Sequence, residues 1–302
     1  MRTSRFGRVL IPMITPFTKD FTVDHNRIYD EVEYLIQEDR CDSLIIAGTN
    51  GEFYALRHEE RIQLFKTAKE AVRGRLPLIA GTGANDTREV IELSKQAEAL
   101  GYDALMILPP YFGNPTQDEI EDHFRHIAKA VSLPILLYNI PLFTGVNIRP
   151  VTTSRLAQDK QFIGIKEEAG INPLQATDTL LCTPDDFVVY CGDDVMTLQV
   201  LIQGGSGVVS GGSHVVGDLM KQQIASFLSG DVAKAQDLYL KTYPFFRALV
   251  PGERANPVPL TRAALRLAGL DVGHPRPPLR PASEPEIERL YAAMSALGKV
   301  AV

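Results

Sequence analysis

The sequence predicts a (β/α)8 barrel with a small helical C-terminal extension. Eight short apolar runs alternate with amphipathic segments over residues 1–229. Near-continuous apolar strands that alternate with helices indicate a parallel sheet covered by helices. Eight such units fit a closed barrel better than an open doubly wound sheet. An open sheet would favour a glycine-rich turn after the first strand, where this chain has "MITPF".

The elements follow one another at regular intervals. Strands are predicted at 9–15, 43–49, 77–83, 104–110, 134–141, 162–167, 187–194 and 207–212. Helices are predicted near 25–39, 57–73, 86–99, 117–130, 150–158, 172–181, 194–203 and 214–229. After residue 229 the strand pattern stops, and helices are predicted at 231–247, 257–268 and 284–297. We therefore divide the chain into a barrel with the active site, residues 1–229, and a helical extension, residues 230–302.

Composition excludes several classes of protein. The chain has 302 residues, of which 45% are hydrophobic, so it can bury a large core. The net charge is −6 without a basic stripe, which argues against partners such as nucleic acid or a membrane surface. Three widely spaced cysteines without a CxxC motif predict neither a disulfide framework nor a zinc site. With no signal peptide and no long apolar run, the predicted location is the cytoplasm.

Lys166 stands at the end of the apolar strand in "FIGIKEEAG". Its ammonium group could simply extend into water while its stem packs on the core. Alternatively, it is a lysine in a dry pocket that acts as a Schiff-base nucleophile. Active sites of such barrels lie at the carboxyl ends of the strands, and Tyr138 ends the neighbouring strand. The two side chains are therefore expected to converge.

These residue types suit imine chemistry. A lysine amine that attacks a ketone gives an imine, and the protonated imine lets a neighbouring C–C bond break or form through an enamine. A phenol such as that of Tyr138 is a suitable acid and base for the proton transfers. The turn "GTNGE", residues 48–52, presents backbone N–H groups and a hydroxyl to a substrate carboxylate.

Several segments resemble one known family. "AGTNGEFYAL", "PPYFGNPTQ", "LYNIP" and "GIKEE" are together similar to the dihydrodipicolinate synthase / N-acetylneuraminate lyase superfamily of class I pyruvate-dependent aldolases. The resemblance implies catalytic roles for Lys166 as the Schiff base, Tyr138 as the acid and base, and Thr49 as the relay hydroxyl. It also implies that Asn50 offers its N–H to the carboxylate of pyruvate, and that Val209 lends a carbonyl beside the imine. No metal or cofactor is implied, and the family is typically a homotetramer built as a dimer of dimers.

Three positions depart from the synthase pattern. Phe143 stands where the synthase has an arginine for the carboxylate of its aldehyde substrate, and phenylalanine cannot make that bidentate pair. Phe112 stands where the family has a second relay tyrosine, and the sequence leaves open whether Tyr111 replaces it. Asn50 replaces the usual second threonine. The apolar residue at 143 is closer to lyases that act on sialic acid or on 2-keto-3-deoxy sugar acids.

The expected function is accordingly cleavage or formation of a C–C bond in a 2-keto-3-deoxy acid through an imine on Lys166. The alternative within the class is 4-hydroxy-tetrahydrodipicolinate synthase, of lysine biosynthesis. Two further hypotheses are a metal- or phosphate-dependent enzyme that uses Asp193, Asp194 and the Gly211–Gly212 turn, and a non-catalytic protein that binds keto acids. The first of these is weakened by the simpler expectation that Asp193 and Asp194 cap the following helix.

Two smaller features carry expectations of their own. His123 and His126 have the HxxH spacing of metal ligands, but they fall in the middle of a predicted outer helix. We therefore expect a solvated helix face there. Asp86 is expected to cap the helix that follows "GTGAND".

Overall fold

Eight parallel strands form a closed barrel in chain order, β1 to β8, in the computed structural model, which describes residues 2 and 4–301. The strands are β1 (Val9–Pro12), β2 (Ser43–Ile46), β3 (Leu78–Gly81), β4 (Ala104–Ile107), β5 (Ile135–Asn139), β6 (Phe162–Glu167), β7 (Val188–Cys191) and β8 (Gly207–Val209). Within these strands every residue is buried except Ile163, which is half-buried. This burial explains the near-continuous apolar runs, and the predicted barrel is confirmed.

Twelve α-helices are found among the described residues. They are α1 (His25–Gln37), α2 (His58–Val72), α3 (Thr87–Ala99), α4 (Gln117–Ala130), α5 (Pro141–Thr144), α6 (Pro150–Leu156), α7 (Gln175–Cys182), α8 (Thr197–Gln203), α9 (Ser213–Leu228), α10 (Val232–Leu249), α11 (Val258–Leu267) and α12 (Glu284–Ala296). The sequence did not predict α5, a single turn directly after β5. The C-terminal helices α10, α11 and α12 are as expected, whereas the boundary between residues 229 and 230 stays a prediction.

The contacts divide the chain into two compact units. The first unit combines the described residues up to Arg8 with Pro77–Val209, and it contains β3 to β8. The second unit combines Val9–Leu76 with the chain from Ser210 onward, and it contains β1, β2 and the C-terminal helices. In the second unit α10 packs on α9, and both α10 and α11 pack on α12. Ile14, Val258, Leu265 and Val272 form a buried apolar cluster there.

Helix starts follow local capping chemistry. The Asp24 side chain accepts a hydrogen bond from the backbone of Arg27 and caps α1. Asp86 caps α3 in the same way through the backbone N–H of Arg88, which confirms the expectation for that residue. Thr116 and Glu119 form a reciprocal capping box at the start of α4.

The expectation for the HxxH pair is wrong for one of its two histidines. His126 is exposed, but His123 is buried, and its Nδ1 lies 2.8 Å from Oγ1 of Thr87. Helix α3 packs against α4 and covers this face, which the sequence of α4 alone does not indicate. Burial lowers the pKa of His123 to about 4, so its imidazole is neutral near pH 7.

Candidate active site

Lys166 lies near the carboxyl end of β6 and pairs in register with Tyr138 on β5. Its side chain is buried, and Nζ lies 4.0 Å from the centroid of the Tyr138 ring. A lysine that merely extended into water would be exposed at its head, and Lys166 is only 5% exposed. The structure therefore brings the two predicted catalytic groups together in a dry setting.

Gly192, directly after β7, makes room for the lysine. A Cβ atom at this position would lie 3.1 Å from Cε of Lys166 and 3.1 Å from the carbonyl oxygen of Glu167. Most real Cβ contacts are longer than this, so a side chain here would push the lysine stem aside. The glycine of "YCGDD" thus belongs to the lysine site.

A pair of carboxyl groups lies beside the lysine. Glu168 hydrogen-bonds to Asp193, and burial followed by the charge of Asp193 raises the pKa of Glu168 to about 7. The charge of Lys166 opposes this shift. The expectation that Asp193 caps the following helical turn, Asp194–Met196, is wrong, because its side chain makes no capping hydrogen bond there. Glu168 directly follows "KE" in the sequence, and no local pattern marks it as a member of the site.

Glu167 belongs to a separate amide network in the first unit. Nδ2 of Asn139 donates to Oε1 of Glu167 at 2.8 Å, and Nε2 of Gln175 donates to its two oxygens at 3.2 and 3.1 Å. Asn147 accepts from both amides and joins them. Burial raises the pKa of Glu167 to about 7, although the two amide donors partly offset it. This network fixes the ends of β5 and β6 against α7.

Thr49 and Asn50 lie in the turn after β2, and both are buried. Two residues later Glu52 adopts a left-handed backbone conformation with φ of 53°. Its Oε1 accepts from Nη2 and Nε of Arg262 at 2.5 and 3.0 Å, and its Oε2 accepts from the backbone N–H of Arg276 at 3.0 Å. Helix α11 and the segment after it therefore hold this turn from within the second unit.

The remaining predicted residues lie in their own segments. Val209 is the buried last residue of β8, and Phe143 lies on α5 with 39% of its surface exposed. Tyr111 follows β4, and its backbone N–H donates to Oδ1 of Asn85 at 2.7 Å. Phe112 has a left-handed backbone conformation and is 96% exposed. The substrate-binding roles of these residues stay predictions.

A buried lysine whose Nζ lies over a phenol ring, near the carboxyl end of a barrel strand, is the arrangement expected of a Schiff-base barrel enzyme. The model of the dihydrodipicolinate synthetase family matches residues 5–297. A 4-hydroxy-tetrahydrodipicolinate synthase of Moorella thermoacetica is 44% identical over 294 residues, which cover 97% of this chain and 99% of the relative. The chain belongs to the dihydrodipicolinate synthetase family.

Solved structures agree with this assignment. A dihydrodipicolinate synthase of Cyanidioschyzon merolae with lysine bound superimposes with a TM-score of 0.93 at 38% identity, over 98% of this chain and 99% of that one. A chloride-inhibited dihydrodipicolinate synthase of Acinetobacter baumannii, complexed with pyruvate, gives 0.90 at 34% identity, over 98% and 100% of the two chains.

The predicted resemblance and the predicted enzyme class are confirmed by these comparisons. The protein is a carbon–carbon lyase of the type that works through a lysine imine. A non-catalytic protein and a metal- or phosphate-dependent enzyme, the two remaining hypotheses, do not fit this class. Within the described part of the chain, no helix is both long and apolar enough to cross a membrane.

Proposed function

We propose that the protein condenses pyruvate with an aldehyde through an imine on Lys166, as a 4-hydroxy-tetrahydrodipicolinate synthase. The imine is supported by one observation above the others, the buried Lys166 residue, whose Nζ lies 4.0 Å from the centroid of the Tyr138 ring. The product class is supported by similarity over nearly the whole length to relatives that carry this name. The expected cleavage of a 2-keto-3-deoxy acid has weaker support than this alternative.

The steps follow from the chemistry of the two residues. Nζ of Lys166, as the free amine, attacks C2 of pyruvate, and uptake of one proton with loss of water leaves a protonated imine. Removal of a proton from C3 gives an enamine, whose C3 then attacks the carbonyl carbon of the aldehyde. The aldehyde oxygen takes up a proton, and water releases the product and restores the amine. The phenol of Tyr138 moves these protons, with Thr49 as the relay hydroxyl.

The carboxylate of pyruvate is assigned to the turn after β2. Backbone N–H groups and the Asn50 side chain are its donors in this proposal, and Val209 lends a carbonyl beside the imine. Tyr111 takes part in substrate binding near the position of the missing relay tyrosine. We further propose a homotetramer, built as a dimer of dimers, that works in the cytoplasm and needs no cofactor.

Borohydride trapping tests the imine. Pyruvate and borohydride are added to the protein, and peptide mass mapping then locates the reduced adduct. We expect the adduct on Lys166 and none in Lys166→Arg, which keeps the charge but cannot form the imine. Lys160→Arg is the matched control, because Lys160 is exposed and should not affect trapping. An adduct elsewhere, or none with folded wild-type protein, contradicts the proposal.

Phe143 favours a second candidate, retro-aldol cleavage of a 2-keto-3-deoxy acid. Its phenyl ring is partly exposed on α5, directly after the strand that carries Tyr138, and it offers no charge to a second carboxylate. Aldehydes without a carboxylate would suit such a residue better than aspartate semialdehyde would.

The variant Phe143→Arg separates the two candidates. If wild type condenses pyruvate with aspartate semialdehyde efficiently, the synthase assignment stands and the argument from Phe143 is wrong. If only Phe143→Arg gains this activity, while wild type cleaves 2-keto-3-deoxy acids, the second candidate is correct. Phe143→Lys is the control for charge alone, because an ammonium group cannot make the planar bidentate pair.

A further inference from the structure

Glu31 on α1 and His214 in the first turn of α9 form a fully buried pair in the second unit. Oε1 of Glu31 lies 3.5 Å from Nε2 of His214. The backbone N–H of Ile14 lies 3.1 Å from that oxygen and 3.3 Å from that nitrogen. Oε2 of Glu31 has no hydrogen-bond partner among the described residues. The reaction steps above use neither side chain, and burying such a pair needs a reason.

The other nitrogen of His214 fixes a backbone turn. Nδ1 lies 2.7 Å from the carbonyl oxygen of Gly211. A carbonyl oxygen only accepts, so Nδ1 carries a proton whether the ring is neutral or charged. Nε2 is then left to face Glu31, either as an acceptor from its carboxyl group or as a donor to its carboxylate. Glu31 thus orients the imidazole, and the imidazole holds Gly211.

Other charged groups near Glu31 do not replace His214. Burial raises the pKa of Glu31, while hydrogen bonding to His214 and the charges of His214 and Arg262 oppose the shift. The guanidinium of Arg262 already binds Glu52 and the carbonyl oxygens of Thr15 and Val272. His214 is therefore the direct side-chain partner of Glu31.

Gly211 in turn packs on Asn50. A Cβ atom at Gly211 would lie 2.7 Å from Nδ2 of Asn50 and 3.6 Å from its Cγ, so a side chain there would displace the Asn50 amide. Nδ2 of Asn50 is buried without a hydrogen-bond partner in the described part of the chain, and the residue is only 5% exposed. A buried amide donor without an acceptor is costly, which points to a ligand that supplies the acceptor.

We propose that Glu31 and His214 are positioning residues that hold the Gly211 turn against Asn50 and so set the affinity of the site for the carboxylate of a 2-keto acid. The inference rests on the proposed function, which assigns that carboxylate to Asn50. The chain of contacts runs from Glu31 through His214 and Gly211 to the amide of Asn50. When His214 no longer holds Gly211, the Gly211 turn can move and the Asn50 amide is misaligned with the carboxylate.

The test measures the pyruvate concentration that gives half-maximal borohydride trapping on Lys166, together with the trapping rate at saturation and Tm. His214→Leu removes the donor to Gly211, whereas the amide of His214→Asn can still donate to it. We expect His214→Leu to need about tenfold more pyruvate, the size of one lost hydrogen bond, with an unchanged saturating rate. We expect His214→Asn to stay within about threefold of wild type, because it keeps the donor.

Controls separate positioning from general damage. His126→Leu removes an exposed histidine on α4 and should leave the half-saturating concentration unchanged. If His214→Leu does not fold, the same comparison is made between Glu31→Leu and Glu31→Gln, in which only the amide can still donate to Nε2 of His214.

Each outcome gives a decision. An unchanged half-saturating concentration with a lower Tm in the leucine variants means that the pair is only structural, and it overturns the inference. An equal rise in the leucine and amide variants also overturns it, because the retained hydrogen bond then has no effect. Wild-type protein that shows no pyruvate adduct on Lys166 overturns the proposed function, and the inference with it.

Discussion

Two buried glutamates, each close in sequence to proposed active-site residues, are held in opposite ways. Glu52, in the turn that carries Thr49 and Asn50, is paired with the guanidinium of Arg262. Glu167, next to Lys166, is bound by the side-chain amides of Asn139 and Gln175 and by no cation among the described residues. A cation offsets the cost of burying a carboxylate, whereas amide dipoles offset only part of it. We therefore expect Glu52 to stabilise the turn after β2 in its charged form. We expect Glu167 to stabilise the ends of β5 and β6 in its protonated form.

Replacement of Arg262, the cation that binds Glu52, should lower the free energy of unfolding more than the other two changes do. Arg262→Met would leave the buried Glu52 without its cation and also remove the donors to Thr15 and Val272. We expect a loss of about 3–5 kcal/mol in the free energy of unfolding, measured by urea denaturation at pH 7. The double variant Arg262→Met with Glu52→Gln should recover part of this loss.

The control for Arg262 lies on the same helix. Arg266→Met removes a partly exposed arginine paired with Asp271, and it should cost less than about 1 kcal/mol. If Arg262→Met costs no more than Arg266→Met, the ion pair with Arg262 does not stabilise the turn that contains Glu52. Glu52 and Glu167 then do not differ in the way expected.

Glu167→Gln should change how stability depends on pH. The pKa of Glu167 is about 7 in the folded protein against 4.5 as its ordinary value. Between these values the folded state binds more protons than the unfolded state, so this residue lowers stability as pH rises from about 4.5 to about 7. Above pH 7 its contribution is constant. The variant should lack this decline, which amounts to roughly 1.4 kcal/mol for each unit of pKa difference.

Urea denaturation from pH 5 to pH 8 measures the difference between wild type and Glu167→Gln. Glu59→Gln, an exposed site on α2, is the control for the loss of one negative charge at the surface. A constant difference across this range would show that the carboxyl group of Glu167 keeps the same charge in both states, and that its amide partners suffice to hold it ionised.

Gln175→Leu should have the smallest effect of the three. It removes one donor to both oxygens of Glu167, and a protonated carboxyl group needs fewer donors than a carboxylate does. We expect a loss of about 1–2 kcal/mol at pH 8 and a smaller loss at pH 5, measured by urea denaturation. Gln158→Leu, at an exposed position, is the control. An equal loss at both pH values would mean that the contribution of Gln175 to stability does not depend on the charge of Glu167.

Much of the fold and part of the site follow from local patterns in the chain. Apolar runs of strand length, repeated eight times between amphipathic segments, predicted the barrel because buried parallel strands require them. The positions of Tyr138 and Lys166 at the ends of consecutive strands predicted their meeting, since parallel neighbours place their carboxyl ends side by side. The cap at Asp86 followed from chemistry within three residues.

Other features depend on partners far apart in the sequence. Glu31 meets His214 across 183 residues, and Glu52 meets Arg262 across 210. No pattern in the neighbouring sequence distinguishes Glu31 or Glu52 from the solvated glutamates of the same helices and turns. The burial of His123 has the same origin, because α3 covers a face that the pattern of α4 had suggested was solvated.

Residue types and their order along the chain were enough to predict the barrel, a tyrosine and a lysine at the ends of neighbouring strands, and the class of chemistry. The folded structure was needed to show which carboxylates are paired with a cation, which are held by amides, and that the Lys166 residue is buried. The reason is physical. The charge state of a group depends on the solvent and partners that folding leaves around it, and those come from other parts of the chain.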